Sequence, residues 1–255
     1  MSESADISHS PTLPLPPPKS GLQRLAGVLF SPGETFSDIA RKPDVLVPLL
    51  LIVIVGFLTV AMTASHMDWD AMLSQQREQM KEKNPNMSDQ DIDKVERFQR
   101  GAMKVGPWFG PFIIAIMTVI SAAVLWLVFR LFGGEANFMQ SWSTVLYAWV
   151  PRVIQQIVVS IIIMVRGSVN PMEIATIVKT NPGFLVDMKE SPFLFSLLSS
   201  FDIFTIWYLV LLIIGFAVAA KVSKAKSATI ILSIWFLIVL IKSGAAGLMS
   251  RMRAS

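Results

Sequence analysis

Long apolar runs that hold almost no charge alternate with short polar segments along the chain. Five of these runs reach the length of about 20 residues that a transmembrane helix needs. They cover residues 45–67, 105–129, 132–165, 193–220 and 227–248. Because a bilayer offers no water to satisfy backbone groups, such runs form helices. The pattern therefore predicts an all-α fold, a polytopic membrane helical bundle with about five transmembrane helices.

The segment before the first apolar run, residues 21–44, predicts two short amphipathic helices. Apolar side chains recur there at helical spacing, and Pro32 suits the first position of the second helix. Ser31 and Glu34 have the spacing of a capping box around that helix start. Two placements fit the pattern. One is an interfacial anchor at the membrane surface, which we adopt as the prediction, and the other is a pair of helices packed on the protein's own bundle.

Residues 1–20 predict a disordered tail. A proline-rich run at residues 11–18 favours the extended polyproline II conformation rather than a helix. The tail has no basic start and no apolar core, so it does not have the pattern of a secretory signal peptide.

The transmembrane domain is predicted over residues 45–250, with a charged helical hairpin inserted at residues 68–104. This insertion holds seven Lys or Arg and eight Asp or Glu residues, divided by Asn84-Pro85-Asn86. Its helices are predicted over residues 69–83 and 88–104. Glycine and proline at residues 106–111 loosen the entry to the second span, so its regular helix is expected to begin near Phe112.

Composition supports a membrane protein and argues against nucleic-acid binding. Of the 255 residues, 53% are hydrophobic and 16% are charged, whereas soluble domains have about 25% charged residues. The net charge is +4. The basic residues lie mainly in loops at the ends of the apolar runs, which favours contact with anionic lipid headgroups over nucleic acid.

The inventory of chemically reactive side chains is small. The chain has no cysteine, and its only histidines are His9 and His66. Neither a thiolate site nor a histidine-based metal or acid–base site can be assembled from these residues. We therefore predict no cofactor, no metal and no catalytic residue, and hence a non-enzymatic protein.

The N-terminus is predicted to be cytoplasmic. The dense basic loop at residues 221–226 then lies inside, as the positive-inside rule expects. The full count of Lys and Arg opposes this orientation, with eight in the inside segments and twelve in the outside segments. The reverse orientation would export a basic N-terminal tail that has no signal peptide, so we retain the first.

Arg152 in the third apolar run and Asp202 in the fourth are the charges that stand out by their cost, whereas Lys242 in the fifth is near enough to the end of its run to snorkel. A charge at the bilayer centre costs about 2.5–3.5 kcal/mol on insertion scales, and pairing is the usual remedy. We hypothesise that Arg152 and Asp202 pair, with Tyr147, Gln155 and Gln156 completing the hydrogen bonds. Three roles stay open: a proton or ion relay, a buried pair that fixes helix register, and a place for Asp202 at the headgroup boundary.

Three ordered groups of residues form a family pattern. They are Pro32, Phe36 and Pro43; then Gly133, Gly134 and Pro151; then Trp207 and Gly215. In their order, their spacing and the number of spans, they resemble the Yip domain family (Ypt-interacting proteins) in its prokaryotic form. The resemblance implies a structural part for these residues. The long charged insertion departs from the compact eukaryotic members of that family.

The resemblance implies a non-enzymatic scaffold or partner-binding protein in membrane organisation. Its expected partners are membrane lipids and either other proteins or further copies of itself, in a bacterial plasma (inner) membrane. Eukaryotic relatives bind Rab-type GTPases, but this chain lacks the long cytosolic N-terminal region that they use. The alternative is a small transporter or channel component with a polar path through the membrane.

Overall fold

The structure is a computed structural model that describes residues 17–171, 174, 178–188 and 190–254. Residues 253 and 254 are described by their backbone only. The predicted disordered tail lies outside the described residues as far as residue 16. The helices are α1 (Gly21–Phe30), α2 (Pro32–Arg41), α3 (Leu46–Thr63), α4 (Trp69–Lys83), α5 (Asp89–Leu131), α6 (Phe138–Ala148), α7 (Val150–Arg166), α8 (Pro192–Leu198), α9 (Ile203–Ala219) and α10 (Lys224–Ala254).

Four spans are long and apolar enough to cross a bilayer, namely Leu46–His66, Asp89–Leu131, Phe138–Arg166 and Lys224–Met252. A fifth arises if α8 and α9, which meet at an angle of 52°, count as one broken span. The prediction of an all-α polytopic bundle with about five transmembrane helices is thereby confirmed.

The central helix of the bundle is α9. Its residues are apolar on every face, which is typical of a helix surrounded by other helices or lipid. Leu211, Leu212 and Phe216 are buried, and the Phe216 ring stacks on Phe129 of α5 at 4.6 Å. Because α9 packs against α2, α6, α7 and α10, it joins both the N-terminal helices and the later spans to one core.

The two N-terminal helices meet at a single residue, Ser31. Ser20 caps α1 with a complete capping box, and Pro32 begins α2 as predicted. The predicted capping box of Ser31 and Glu34 is wrong, because the Ser31 side chain makes no capping hydrogen bond. Ser31 also ends α1, where its N–H donates to the Gly27 carbonyl. Its ψ angle of 62° departs from the extended conformation that an N-cap normally adopts.

The apolar faces of these helices pack on the bundle. Phe36 and Ile39 of α2 are buried, as is Val28 of α1. A Cβ atom on Gly215 of α9 would lie 3.0 Å from the Phe36 ring, so α2 and α9 are in close contact. This arrangement favours the second placement considered above, packing on the protein's own bundle. Whether the helices also lie at the membrane interface stays a prediction.

The longest helix, α5, runs without interruption for 43 residues from the charged insertion to the end of the second span. At a rise of 1.5 Å per residue it is about 64 Å long, roughly twice the hydrocarbon thickness. The expectation that its regular helix begins near Phe112 is wrong, since Pro107 and Pro111 lie inside it. Pro111 packs against Gly56 of α3, where a Cβ atom would be only 2.9 Å away. Tertiary packing therefore outweighs the local proline signal.

Gly133 and Gly134 make the turn between α5 and α6. Gly133 has a φ of 78°, in the left-handed region that favours glycine. The N–H of Gly134 donates to the Phe129 carbonyl at 2.7 Å. A Cβ atom on Gly134 would lie 2.9 Å from that oxygen, so the tight turn depends on both glycines.

Candidate functional site

A buried ion pair joins the two N-terminal helices. The Arg24 Nε donates to Asp38 Oδ2 at 2.8 Å, and the two side chains are 3% and 9% exposed. Arg41 donates to Asp38 Oδ1 at 2.9 Å, and the Lys19 N–H donates to Oδ2 at 3.1 Å. Burial raises the pKa of Asp38, but these donors, chiefly Arg24, outweigh burial and hold that pKa below its usual value.

The phenol of Tyr147 belongs to this end of the bundle. Its hydroxyl donates to Asp44 Oδ2 at 2.9 Å, and the ring is fully buried. Ser143, one turn earlier on α6, donates to the Asp44 carbonyl at 3.1 Å. These two hydrogen bonds tie α6 to the joint between α2 and α3. The structure therefore does not bring Tyr147 together with Arg152 and Asp202.

Asp202 lies at the break between α8 and α9 and caps α9. Its carboxylate accepts hydrogen bonds from the N–H groups of Phe204 at 2.9 Å and Thr205 at 3.3 Å. It also accepts from Gln155 Nε2 at 3.1 Å and from the Thr180 hydroxyl. Four donors and the positive end of the α9 dipole thus stabilise this charge.

Arg152 has a much poorer set of partners. Its Nη1 donates to Gln155 Oε1 at 3.1 Å, while its buried Nε has no hydrogen-bond partner. Arg152 and Asp202 interact electrostatically but are not among the ion pairs within 4.0 Å in the part of the chain that is described. Gln155 lies between them and hydrogen-bonds to both. The hypothesised direct pair is therefore absent from the described residues, and the amide links the two charges.

A second cation, Lys242 of α10, lies near the same cluster. Its Nζ donates to the Ser200 hydroxyl at 2.9 Å, and its charge is within electrostatic range of Arg152. The sequence predicted only that Lys242 snorkels, and it gave no sign that this lysine lies beside Arg152. The cluster thus combines two cations with one carboxylate.

Gln156 faces α3 instead of this cluster. Its Nε2 donates to the Thr59 hydroxyl at 2.6 Å. Thr59, Gln155, Gln156 and Arg152 line a cavity of about 320 Å³ between α3 and α7. The cavity also has apolar walls from both helices, which include Val60 and Val159. The arrangement can accept a ligand that has both a polar and an apolar part.

At the opposite end of α9, an ion pair joins the turn before α6 to the turn after α9. Lys221 Nζ lies 2.7 Å from Glu135 Oε2, and the Glu135 N–H donates to the Ala220 carbonyl at 3.0 Å. The hydrogen bond and charge of Lys221 hold the pKa of Glu135 below its usual value, and Glu135 raises the pKa of Lys221. Both side chains are exposed, and they lie in the turns that separate α5 from α6 and α9 from α10.

The remaining family-pattern residues have structural positions. Pro151 is buried in the first turn of α7. Trp207 is half-buried and packs against the core around α9. Pro43 lies in the short joint between α2 and α3. Among the described residues, no group of three His, Cys, Asp or Glu side chains could hold a metal ion.

The fold, together with the polar cluster of Arg152, Gln155, Asp202 and Lys242, defines a polytopic α-helical membrane protein whose N-terminal helices pack into its bundle. The chain belongs to the Yip1 domain family, whose model matches residues 26–245. It is similar to "Membrane protein YknW" of Bacillus subtilis (strain 168), with 26% identity over 233 residues that cover 89% of this chain and 90% of that protein. No solved structure matches the chain.

Proposed function

We propose that the protein is a non-enzymatic scaffold of a bacterial plasma membrane, and that it binds a partner protein through residues 69–104, called here the hairpin. The observation behind this proposal is that the hairpin is an ordered polar element outside the packed spans. Helix α4 packs mainly on α5, so the hairpin adds little to the core of the bundle. A surface for a partner is the use that best fits such an element.

Ion pairs across the hairpin hold it in one shape. Arg77 of α4 lies 3.0 Å from Asp93 and 3.1 Å from Glu96 of α5, and hydrogen bonds to these carboxylates raise the pKa of Arg77. Arg100 lies 2.6 Å from Asp70. Exposed pairs are worth only about 0–1 kcal/mol each, but several together align the two helices.

A small apolar contact supports these ion pairs. Leu73 of α4 and Ile92 of α5 are buried within the otherwise exposed hairpin. Phe98, in contrast, is 78% exposed. A preformed hairpin loses little conformational entropy on binding, and an exposed aromatic side chain is a frequent anchor of protein interfaces.

Co-purification tests the scaffold. The protein is extracted in mild detergent after brief crosslinking, as wild type and with residues 70–100 replaced by a Gly-Ser linker. We expect a stoichiometric partner that the linker variant loses. We expect Phe98→Ala to weaken capture, and Phe30→Ala to leave it unchanged. Phe30 is the matched control because it is 86% exposed on α1, which packs near the opposite end of α3. Recovery of wild-type protein without another protein would contradict the proposal.

The orientation is proposed with the N-terminus cytoplasmic, which places the hairpin outside the cytoplasm. Because the chain has no cysteine, single cysteines at Ser37 and Asn86 report the two sides of the membrane. We expect a membrane-impermeant maleimide to label Asn86→Cys in intact cells and Ser37→Cys only after lysis. The reverse labelling pattern would move the partner surface to the cytoplasm.

A small transporter or channel component is the second candidate function. The cavity between α3 and α7 with its polar lining supports it, as do the two nearby cations, Arg152 and Lys242. Solute flux in proteoliposomes that Arg152→Ala abolishes would favour this function over the scaffold.

A further inference from the structure

We propose that the cavity between α3 and α7 binds the phosphate group of an anionic ligand on Arg152. The same chemistry is offered by an acidic phospholipid headgroup and by free phosphate, and the experiment below separates these sources. The inference does not depend on the scaffold function proposed above.

The first argument is that Arg152 has no ion-pair partner within 4.0 Å among the residues that the structure describes. Asp202 interacts with Arg152 electrostatically, but its oxygens already accept hydrogen bonds from Gln155, Thr180 and the start of α9. The guanidinium has one neutral acceptor, Gln155 Oε1, and a distant ring contact, 5.9 Å from the centre of Tyr208. An anion in the cavity would supply both the acceptor that the buried Nε lacks and a charge opposite to that of the half-buried guanidinium.

The second argument is the charge balance around the cavity. Lys242 of α10 adds a second positive charge within electrostatic range of Arg152, and Asp202 supplies one negative charge. The cluster of these three residues is therefore positive by one charge. Phosphate oxygens match a guanidinium fork well, because two parallel N–H groups can donate to them.

The third argument concerns depth in the membrane. Because charged residues are costly inside the hydrocarbon, we infer that Glu135 and Lys221, which lie in turns between helices, are at one of its boundaries. Asp202 lies at the other end of the 17-residue helix α9, which is about 25 Å away by helical rise. The hydrocarbon is about 30 Å thick, so α9 nearly spans it without α8, and we infer from this that Asp202 and the hydrogen-bonded Gln155 and Arg152 lie near the opposite headgroup layer. Phospholipid phosphates are found at that depth.

The fourth argument is the shape and lining of the cavity. Thr59 and Gln156 provide further polar atoms beside Arg152, whereas Val60 and Val159 provide apolar walls. Leu58 and Met62, on the same turns of α3, are exposed. A phosphate at Arg152 with an attached acyl chain along α3 would contact both kinds of lining, which favours a lipid as the source.

Native mass spectrometry of the detergent-purified full chain tests the site. Palmitoyl-oleoyl phosphatidylglycerol is added, with palmitoyl-oleoyl glycerol as the matched lipid that lacks a phosphate. We expect the wild-type protein to retain the phosphatidylglycerol and not the palmitoyl-oleoyl glycerol. Arg152→Gln should weaken retention of the phosphatidylglycerol about ten- to hundredfold, as loss of a charge-assisted hydrogen bond predicts. Arg166→Gln is the control, because Arg166 is exposed on the same helix, and it should bind like wild type.

Two further measurements keep the result interpretable if Arg152→Gln folds poorly. Val60→Phe fills the apolar wall while it leaves Arg152 intact, and it should also lose the lipid. Inorganic phosphate at millimolar concentration is added in a separate series. If inorganic phosphate displaces the lipid, the site binds free phosphate as well as the lipid headgroup. If it does not, the site binds the lipid alone. Equal phosphatidylglycerol retention by wild type, Arg152→Gln and Val60→Phe, or equal retention of the two lipids, would overturn the proposal.

Discussion

Arg24 and Asp38 form a buried ion pair that joins α1 to α2, with Arg24 Nε 2.8 Å from Asp38 Oδ2. The pair lies on the faces of these helices that pack into the bundle. It explains how two short helices, each of 10 residues, keep a defined angle, since isolated helices of that length are marginal in water. The pair therefore orients the apolar side chains of α2 towards α9.

Removal of Asp38 should destabilise the protein strongly. Asp38→Ala leaves Arg24 buried without its carboxylate, which typically costs about 3–5 kcal/mol. Arg24→Met should cost less, because Arg41 still pairs with Asp38 at 2.9 Å. Glu34→Ala is the control on the same helix: its side chain is 82% exposed and 3.9 Å from Lys19, so the change should stay within about 1 kcal/mol. Equilibrium unfolding in mixed micelles measures all three, and equal losses for Asp38→Ala and Glu34→Ala would contradict the prediction.

The same carboxylate predicts a pH dependence of stability. The pKa of Asp38 is lower in the folded protein than its ordinary value of 3.8, so the unfolded chain binds the proton more readily. The stabilisation from Asp38 is therefore complete above the unfolded pKa and is lost as the pH falls through the folded pKa. Thermal unfolding from pH 7 down to pH 3 should show a steeper loss of Tm at the acidic end for wild type than for Asp38→Asn. Parallel curves would rule out this contribution.

Tyr147→Phe should lower stability through one hydrogen bond. The substitution deletes the hydroxyl that donates to Asp44 at 2.9 Å and leaves the buried ring in place. Hydrogen bonds to charged groups are worth about 1.5–3 kcal/mol. The chain has a second tyrosine, Tyr208, whose hydroxyl makes no hydrogen bond among the described residues, so Tyr208→Phe should change the free energy of unfolding little. A loss for Tyr147→Phe no larger than that for Tyr208→Phe would contradict the prediction.

Gly215→Ala should separate α9 from α2 and α6. The new Cβ atom would lie 2.5 Å from Thr144 Cγ2, and such overpacking typically costs about 1–3 kcal/mol. Gly244 on α10 is the matched control, because a Cβ atom there meets nothing within 4 Å. Gly244→Ala should be neutral or stabilise the helix by up to about 1 kcal/mol. Urea or heat unfolding of both variants would distinguish the two sites, and a neutral Gly215→Ala would show that the helices adjust.

The structure also changes the interpretation of Arg152 and Asp202, the two charges that stand out within apolar runs of the sequence. The sequence suggested a direct pair of Arg152 and Asp202, whereas the structure shows Gln155 between them and Asp202 as the N-cap of α9. A capping position was not evident from the sequence, because Asp202 lies inside a long apolar run. Only the break between α8 and α9 exposes the N–H groups that it caps.

The sequence by itself determined the all-α class, the approximate number of spans and the bounds of the first hairpin helix, which is Trp69–Lys83 as predicted. These features follow from local physics: lipid requires each apolar run to satisfy its own backbone, and caps and turns act over a few residues. The partners of the polar side chains were decided only by the tertiary structure. Tyr147 meets Asp44 across 103 residues and Gln155 meets Asp202 across 47. Such contacts depend on the depth and rotation of each helix in the bundle, which are set by the packing of all its neighbours together and not by any local pattern.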